Sequence, residues 1–204
     1  MSDFIYLASQ SPRRAQLLGQ IGVRFEPLLP EPHEDAEALE AVRPGEAPTP
    51  YVQRVTLAKL AAALQRLKRS GLPPAPVLCA DTTVALGRQI LGKPADAADA
   101  ERMLGLLSGH THRVLTAVAV GQGRRTRLLL STSTVSFAAL SRAQIRAYVR
   151  SGEPMGKAGA YAIQSAAAAW IPGIRGSYSG IMGLPLFETA QLLDHFKINT
   201  GAPL

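Results

Sequence analysis

Hydroxyl and guanidinium groups are concentrated in residues 9–14, whose sequence is SQSPRR. Ser11 is a good N-cap and Pro12 suits the first helical position, so we expect a helix to begin here after a short apolar strand. The first N–H groups of a helix lack internal partners and attract anions, and arginine binds phosphate with paired donors. The stretch therefore predicts a phosphate site without being a Walker A loop or a dinucleotide fingerprint. The alternative is an ordinary capped helix with solvent-facing arginines.

Asp81 stands in the middle of an apolar stretch, VLCADTTV, at residues 77–84. A carboxylate in a buried strand is costly unless a charged group meets it. A hairpin turn at residues 87–88 would pair residue 86 with residue 89, which places Lys93 opposite Thr82 and diagonal to Asp81. The pattern predicts that the hairpin brings a lysine to Asp81, either for function or as a structural ion pair.

Two further stretches carry candidate ligands. Glu34, beside Asp35, lies in an acidic segment, and with Asp81 it could share a cation such as Mg²⁺, which prefers oxygen ligands. Acidic loops are more often simply solvated.

In residues 153–164, EPMGKAGAYAIQ, the small residues allow close approach of the backbone to a ligand, and Lys157 is a candidate phosphate contact. The alternative there is a plain turn rich in Gly and Ala.

Composition narrows the classes of protein. The 204 residues are 47% hydrophobic, which excludes disorder throughout, and the single cysteine, Cys79, excludes a disulfide framework. The net charge is +7, but the arginines are scattered and aromatic residues make up only 5%, so we expect no nucleic-acid partner. The four histidines lack zinc spacing, and no G-x-S-x-G elbow occurs. No membrane segment or signal peptide is recognisable, so we expect a cytoplasmic protein.

The elements that must position these side chains alternate between strands and helices, which predicts an α/β fold. We expect strands at residues 4–8, 23–29, 76–86, 89–91, 113–120, 125–137 and 166–171. We expect helices at residues 11–22, 50–70, 96–107, 141–150 and 185–196, with a capping box at Ser141 and Gln144. Residues 30–50 are predicted to be a loop, and those after residue 198 a frayed tail. Residues 71–76 and 151–154 are candidate boundaries between lobes.

Taken in order, these stretches resemble the Maf family of nucleoside triphosphate pyrophosphatases. The matching positions cover nearly the whole chain. They are LASQSPRR (7–14), Glu34, Lys59, ADTTV (80–84), GKP (92–94), LSGHTHRVLTAVA (107–119), EPMGKAGAYAIQ (153–164) and GSYSGIMGLPL (176–186).

The resemblance implies a fold and a reaction. The fold would be one domain over residues 1–204, with a mixed, twisted sheet and helices forming two lobes around a deep cleft, as in inosine triphosphate pyrophosphatases, and commonly a homodimer. The reaction would be hydrolysis of a nucleoside triphosphate to the monophosphate and pyrophosphate with a divalent metal, Mg²⁺ or Mn²⁺. Such chemistry needs stabilised charge on the transferred and leaving groups and no protein nucleophile.

The resemblance also assigns roles. Asp81 would accept the proton of the attacking water, and Glu34 would help Asp81 with the metal. The phosphate-binding residues would be Ser9, Ser11, Arg13 and Arg14. The lysines that neutralise the triphosphate would be Lys59, Lys93 and Lys157.

Two positions address the choice of substrate. The family branch that acts on dTTP and UTP has Thr and Gln where this chain has Thr82 and Gln164, whereas a branch preferring 7-methyl-GTP has Gln and Glu. A glutamine amide can pair with both the O4 acceptor and the N3–H donor of thymine or uracil. We therefore expect dTTP and UTP as substrates. The alternatives are a 7-methyl-GTP or broad house-cleaning pyrophosphatase, or a nucleotide-binding protein without catalysis.

Overall fold

The computed structural model describes residues 3–31, 34 and 38–201, and its elements follow the α/β pattern. The strands are β1 (Ile5–Leu7), β2 (Phe25–Pro27), β3 (Val77–Leu86), β4 (Gln89–Leu91), β5 (Thr111–Gln122), β6 (Arg125–Ser136) and β7 (Gly173–Arg175). The helices are α1 (Pro12–Gln20), α2 (Pro48–Ser70), α3 (Ala97–Leu107), α4 (Arg142–Arg150), α5 (Tyr178–Met182) and α6 (Leu186–His195). Short 3₁₀ turns occupy Ala38–Glu40, Ala158–Ala160 and Ala166–Trp170.

The strands form one mixed sheet in the order β2-β1-β3-β5-β6-β7. β1 pairs in parallel with β2 and β3, whereas β3, β5, β6 and β7 pair antiparallel in that order. The prediction of a mixed α/β sheet is therefore confirmed. No helix within the described ranges is long and apolar enough to cross a bilayer.

One side of β3 is interrupted in its middle. β1 pairs with Val77 and Leu78 at the beginning of β3, and β4 pairs with its last three residues, Val84 to Leu86, on the same side. β5 fills the other side along nearly the whole strand. Among the described residues, no strand pairs with residues 79–83 on the β1 and β4 side, so the sheet opens a gap there.

Hydrophobic cores lie at both ends of the long strands. Near β1 the core joins α1, α6 and the beginning of β3, with members that include Ile5, Leu17, Leu78, Val120 and Leu193. At the other end it joins α3, α4 and the end of β3, with members that include Val84, Leu104, Leu107, Val114 and Tyr148. Apolar burial on both sides of the gap fixes the two groups of elements that face each other across it.

Several local predictions are confirmed. Leu86 pairs with Gln89 as the hairpin count requires, Asp96 caps α3 by accepting from the Asp99 amide, and the Ser141–Gln144 capping box is complete.

The strand predicted at residues 166–171 is wrong, because this segment forms the 3₁₀ turn Ala166–Trp170. Four consecutive alanines have little preference for a strand, since small side chains give a pleated surface little to pack. The short elements β7 and α5 that follow were not predicted. The predicted tail also stays attached as far as Gly201, whose N–H donates to the Ile21 carbonyl at 2.7 Å.

Candidate active site

Asp81 lies in the middle of the gap in the sheet. Its side chain lines a cavity of about 690 Å³, yet the residue is only 7% exposed. Asp81 Oδ1 accepts a hydrogen bond from Lys59 Nζ at 2.6 Å. Lys59 reaches this position because α2 packs across β3 and β5, where Gly121 of β5 allows the leucines of α2 to approach its backbone closely.

Lys59 connects Asp81 to a second carboxylate. Its Nζ also donates to Glu40 Oε1 at 2.7 Å, and Glu40 Oε2 lies 3.0 Å from Lys93 Nζ. The four side chains form a row in which carboxylate and ammonium groups alternate. The predicted hairpin therefore brings Lys93 to this site, where it contacts Glu40, while Lys59 contacts Asp81.

Burial and charge oppose each other in this row. Burial raises the pKa of Asp81 above its ordinary value, although Lys59 and Arg14 oppose that shift. For Lys59, burial acts to lower the pKa, but the charges of Asp81 and Glu40 outweigh it and raise the pKa overall. Burial would raise the pKa of Glu40, but Lys59 and Lys93 lower it overall. Of the two carboxylates, Asp81 is therefore the better proton acceptor.

Glu40 was not singled out from the sequence, since it is one of several acidic residues in a segment without periodicity. Its place depends on α2. The Tyr51 hydroxyl donates to the Glu40 carbonyl at 2.9 Å, and Arg54 donates to the carbonyls of Leu39 and Ala41 at 3.3 and 2.9 Å. These contacts fasten the 3₁₀ turn to the helix that carries Lys59.

Glu34, the predicted partner of Asp81 in metal binding, lies elsewhere on the cavity wall. Its carboxylate forms ion pairs with Arg66 and with Arg69, the latter at 2.7 Å. The carboxylate that the structure brings to the lysine of Asp81 is Glu40. The role of Glu34 therefore stays a prediction, and its neighbour Asp35 lies outside the described residues.

The beginning of α1, predicted to be a phosphate site, faces the same cavity. Arg14 donates to the Gly183 carbonyl at 2.7 Å, to Ser9 Oγ at 3.1 Å and to Thr82 Oγ1 at 3.4 Å. Burial lowers the pKa of Arg14. Arg13 donates through Nε to the Met182 carbonyl at 3.3 Å. Arg14 thus directs three donors at the protein itself.

Ser11 occupies the N-cap position of α1, and its side chain makes no capping hydrogen bond. The Ser11 amide donates to Ser9 Oγ at 3.2 Å, so the loop before the helix is closed on itself. Both serines line the cavity. The free end of a nine-residue helix, next to Arg13, is a favourable environment for an anion.

The segment at residues 153–164 forms another part of the cavity wall and carries Lys157 and Gln164. Lys157 Nζ donates to the Glu153 carbonyl. Burial lowers the pKa of Lys157, and the positive charge of Arg13 lowers it further. Arg13 and Lys157 therefore repel each other across the cavity, and an anion between them would relieve that repulsion. Gln164 is exposed at the cavity wall.

A buried aromatic cluster supports this wall from behind. The Tyr161 hydroxyl lies 2.7 Å from His112 Nε2, and both rings pack edge-on against Phe137. Burial lowers the pKa of His112 to about 4. The imidazole is therefore neutral at physiological pH. No zinc spacing marked His112 from the sequence, and its partner lies 49 positions away.

The cavity combines one buried proton acceptor with an excess of positive charge. The cationic side chains that line it are Arg13, Arg14, Lys59, Arg66, Arg69, Lys93 and Lys157, and the acidic ones are Glu34, Glu40 and Asp81. Its volume is in the usual range for a nucleotide-sized ligand. The arrangement can bind a polyphosphate and activate a water beside it.

Comparisons with known proteins agree with this chemistry. Residues 4–196 match the sequence model of a family described as Maf-like protein. A protein of Albidiferax ferrireducens named dTTP/UTP pyrophosphatase is 69% identical over 196 residues, covering 96% of this chain and 98% of that protein. A Polaromonas protein of the same name is 68% identical, covering 94% of this chain and 95% of that protein.

A third relative, from Ralstonia nicotianae, also carries the name dTTP/UTP pyrophosphatase. It is 63% identical over 195 residues, covering 95% of this chain and 94% of that protein. Among solved structures, the Ham1 protein of Staphylococcus aureus matches with a TM-score of 0.43 and 14% identity, covering 66% of this chain and 71% of that one.

Proposed function

Because the chain belongs to the Maf family, we propose that it hydrolyses dTTP and UTP to the monophosphate and pyrophosphate by attack of water at the α-phosphorus. The observation that carries this proposal is Asp81, buried in the gap of the sheet and bonded to Lys59 within a basic cavity. The name of the relatives, dTTP/UTP pyrophosphatase, supports the same reaction.

Asp81 is the general base in this reaction. The water oxygen forms a bond to the α-phosphorus, its proton passes to the Asp81 carboxylate, and the bond between the α-phosphorus and the bridging oxygen breaks to release pyrophosphate. A carboxylate whose pKa is raised by burial is a stronger base than one in solvent. Lys59 holds the carboxylate in place through Oδ1 and leaves the other oxygen for the water.

The negative charge of the triphosphate is balanced by the cations on both walls. Arg13, Lys93, Lys157 and the N-terminal end of α1 all line the cavity. Charge that develops on the leaving pyrophosphate is stabilised by the same groups, which is the main task in phosphoryl chemistry without a protein nucleophile. Arg14 contributes by holding Ser9 and Thr82.

A divalent metal fits the donor set, although the described residues contain no group of three or more acidic, histidine or cysteine ligands. Mg²⁺ is usually held by one or two carboxylates together with substrate phosphates. Asp81 and Glu40 provide such a pair, because they flank a single cation, the Lys59 ammonium. When bound, the metal would supply charge neutralisation on the phosphate oxygens. Glu34 would join them only after leaving its two arginines.

We expect Gln164 and Thr82 to determine which nucleobase the site accepts. The exposed amide of Gln164 offers a donor to O4 and an acceptor to N3–H, a pair that thymine and uracil share. A single domain with two lobes and a homodimeric, cytoplasmic protein are further predictions of the family resemblance.

Pyrophosphate release from dTTP, UTP and 7-methyl-GTP with Mg²⁺ or Mn²⁺ tests the substrate proposal. We expect kcat/KM to be higher for both pyrimidine nucleotides. Faster hydrolysis of 7-methyl-GTP would contradict the proposed preference for thymine and uracil. It would favour a 7-methyl-GTP or broad house-cleaning pyrophosphatase. No turnover of any triphosphate, with binding retained, would favour a non-catalytic nucleotide-binding protein.

Asp81→Asn tests the assignment of Asp81 as the general base. We expect kcat to fall about 1,000-fold, in the range for loss of a general base, while the far-UV circular dichroism spectrum stays that of the parent. Asp194→Asn, which makes the same change on the exposed face of α6, is the matched control and is expected to retain parental turnover. Intact turnover in Asp81→Asn would show that another group accepts the proton.

A further inference from the structure

A chain of side-chain hydrogen bonds begins at Arg14 and ends at helix α5. Arg14 Nη2 lies 3.4 Å from Thr82 Oγ1, which lies 2.9 Å from Thr116 Oγ1, which in turn lies 2.7 Å from the Gly180 carbonyl oxygen. Thr116 belongs to β5, directly opposite Thr82 in the sheet, and is only 1% exposed. It does not line the cavity, and none of the site assignments above includes it.

The direction of every proton in this chain is determined. A carbonyl oxygen only accepts, so Thr116 must donate its single hydroxyl proton to Gly180. The Thr116 oxygen therefore accepts from Thr82, whose own proton is spent in that bond. A guanidinium only donates, so Thr82 accepts from Arg14. Towards a ligand in the cavity, the Thr82 oxygen can then only accept.

The hydrogen bonds that begin at Arg14 end at the backbone of α5, which other residues of the cavity also contact. Arg14 donates to the Gly183 carbonyl and Arg13 to the Met182 carbonyl, so three carbonyls at the end of α5 are bonded by side chains. The Gly180 carbonyl also accepts from the Gly183 amide at 3.0 Å, so Thr116 adds a second hydrogen bond at the end of this short helix. Ile181, Met182 and Gly183 line the cavity, so the position of α5 sets the shape of one wall.

We propose that Thr116 is a positioning residue for substrate discrimination, acting through Thr82 and α5. It withdraws the Thr82 proton, so that Thr82 presents only an acceptor to the substrate, and it fixes the wall formed by residues 181–183. This inference rests on the proposed hydrolysis of pyrimidine triphosphates. Loss of the Thr116 hydroxyl would leave the Thr82 proton free to turn towards the ligand and the Gly180 carbonyl without that bond.

Thr116→Val tests the proposal, since valine keeps the shape of the side chain and removes the hydroxyl. We expect the ratio of kcat/KM for dTTP to that for 7-methyl-GTP to fall about tenfold, because the substitution removes the buried hydrogen bonds to Thr82 and to the Gly180 carbonyl. Thr116→Ser, which restores the hydroxyl, should return the ratio to within about twofold of the parent. A structural role alone would change both kcat/KM values in parallel and leave the ratio unaltered.

Thr189→Val is the matched control. Thr189 is also fully buried, in α6, but its hydroxyl has no hydrogen-bond partner among the described residues, so the same substitution should leave the ratio unchanged. In Thr82→Val, adding Thr116→Val should change the ratio by less than Thr116→Val does alone, because the bond between the two hydroxyls is already lost and only the bond to the Gly180 carbonyl remains to be removed.

An unchanged ratio in Thr116→Val, or fully additive effects in the double variant, would overturn the proposal. The parent protein separates this failure from failure of the proposed function. If the parent does not release pyrophosphate from dTTP or UTP, the proposed function is wrong. If the parent is active but Thr116→Val leaves the ratio of kcat/KM values unchanged, only this inference is overturned.

Discussion

At the scale of the residue, the site depends on a lysine placed between two carboxylates. Lys59 contacts Asp81 and Glu40 at 2.6 and 2.7 Å, with all three side chains at most one quarter exposed. Without the ammonium group, two negative charges would face each other in a poorly solvated place. The lysine therefore favours the ionised form of Asp81, the form that can accept a proton, and opposes the rise in pKa that burial causes.

Lys59→Met should lower the free energy of unfolding at pH 7.5 by about 3 kcal/mol, because removal of the ammonium leaves the buried Asp81 carboxylate without its ion pair. Urea denaturation followed by circular dichroism measures this value. Lys68→Met, the same change at an exposed position of α2, is the control and should alter stability by less than about 0.5 kcal/mol. Equal stabilities of the two variants would contradict the ion-pair account.

His112 predicts a pH dependence of stability. Its pKa is lowered by burial to about 4, whereas in the unfolded chain it should lie near 6.5. The unfolded state therefore takes up a proton first as the pH falls, and the contribution of His112 is complete above about pH 6.5 and is lost progressively between about pH 6.5 and 4. The loss amounts to at most about 3 kcal/mol.

This dependence can be isolated by substitution. From pH 7.5 to pH 5, the parent should lose more stability in urea denaturation than His112→Gln, which does not titrate. His110→Gln, at an exposed neighbouring position, should follow the parent. If His112→Gln has the same pH profile as the parent, the histidine is not buried in its neutral form.

Several candidate site residues could be chosen from the sequence because each stands out against its surroundings, and the structure places them around one cavity. Asp81 is a carboxylate in an apolar strand, and residues 9–14 combine a helix start with arginines. Glu40 could not be chosen among its acidic neighbours, since its place depends on Tyr51 and Arg54 across a segment without periodicity. The contact between Asp81 and Lys59 also depends on tertiary structure, because Lys59 lies 22 positions away on a helix.

At the scale of the element, the wall at residues 153–164 depends on a close approach to β3. Gly159 has a φ of +69°, and a Cβ atom there would lie 2.9 Å from the side chain of Val84. The Gly159 amide also donates to the Gly92 carbonyl at 3.0 Å, which joins this wall to the segment that carries Lys93. A side chain at position 159 would therefore push the wall away from the strand.

Gly159→Ala should destabilise the protein by about 3 kcal/mol, from a backbone strain of about 1 kcal/mol and a clash with a packed core. Gly156→Ala provides the comparison. Its φ is +71°, but the space around a Cβ there is open, so only the backbone strain should be observed. Urea denaturation of both variants measures the difference, and equal losses would mean that contact with Val84 does not hold the wall.

Elements with strong local signals were predicted well. The β3–β4 register follows from its two-residue turn, and α4 begins at its capping box. The segment at residues 166–182 was predicted poorly, because β7, α5 and the 3₁₀ turn before them are three to five residues long. Unlike the three-residue strand β4, these elements are not marked by a predicted hairpin turn, and their conformation depends on tertiary contacts such as those of Ser133 and Thr116 with residues 177 and 180.

At the scale of the whole molecule, the gap in the sheet gives the fold its function. β1 and β4 pair with the two ends of β3 and leave its middle accessible, and the cores at either end hold the two walls apart. Asp81, the proposed general base, lies at this gap, and the N-terminal end of α1 and the segment at residues 153–164 line the same cavity. The net charge of the protein is +7, and seven of its positively charged side chains line one cavity of about 690 Å³.

The central claim is that water attacks the α-phosphorus of a pyrimidine nucleoside triphosphate. Mass spectrometry of the products formed from dTTP in ¹⁸O-labelled water tests it most directly. The account predicts that one labelled oxygen enters dTMP, that pyrophosphate is unlabelled, and that no orthophosphate forms. Label in pyrophosphate, or dTDP together with labelled orthophosphate, would contradict it, because water would then have attacked a different phosphorus.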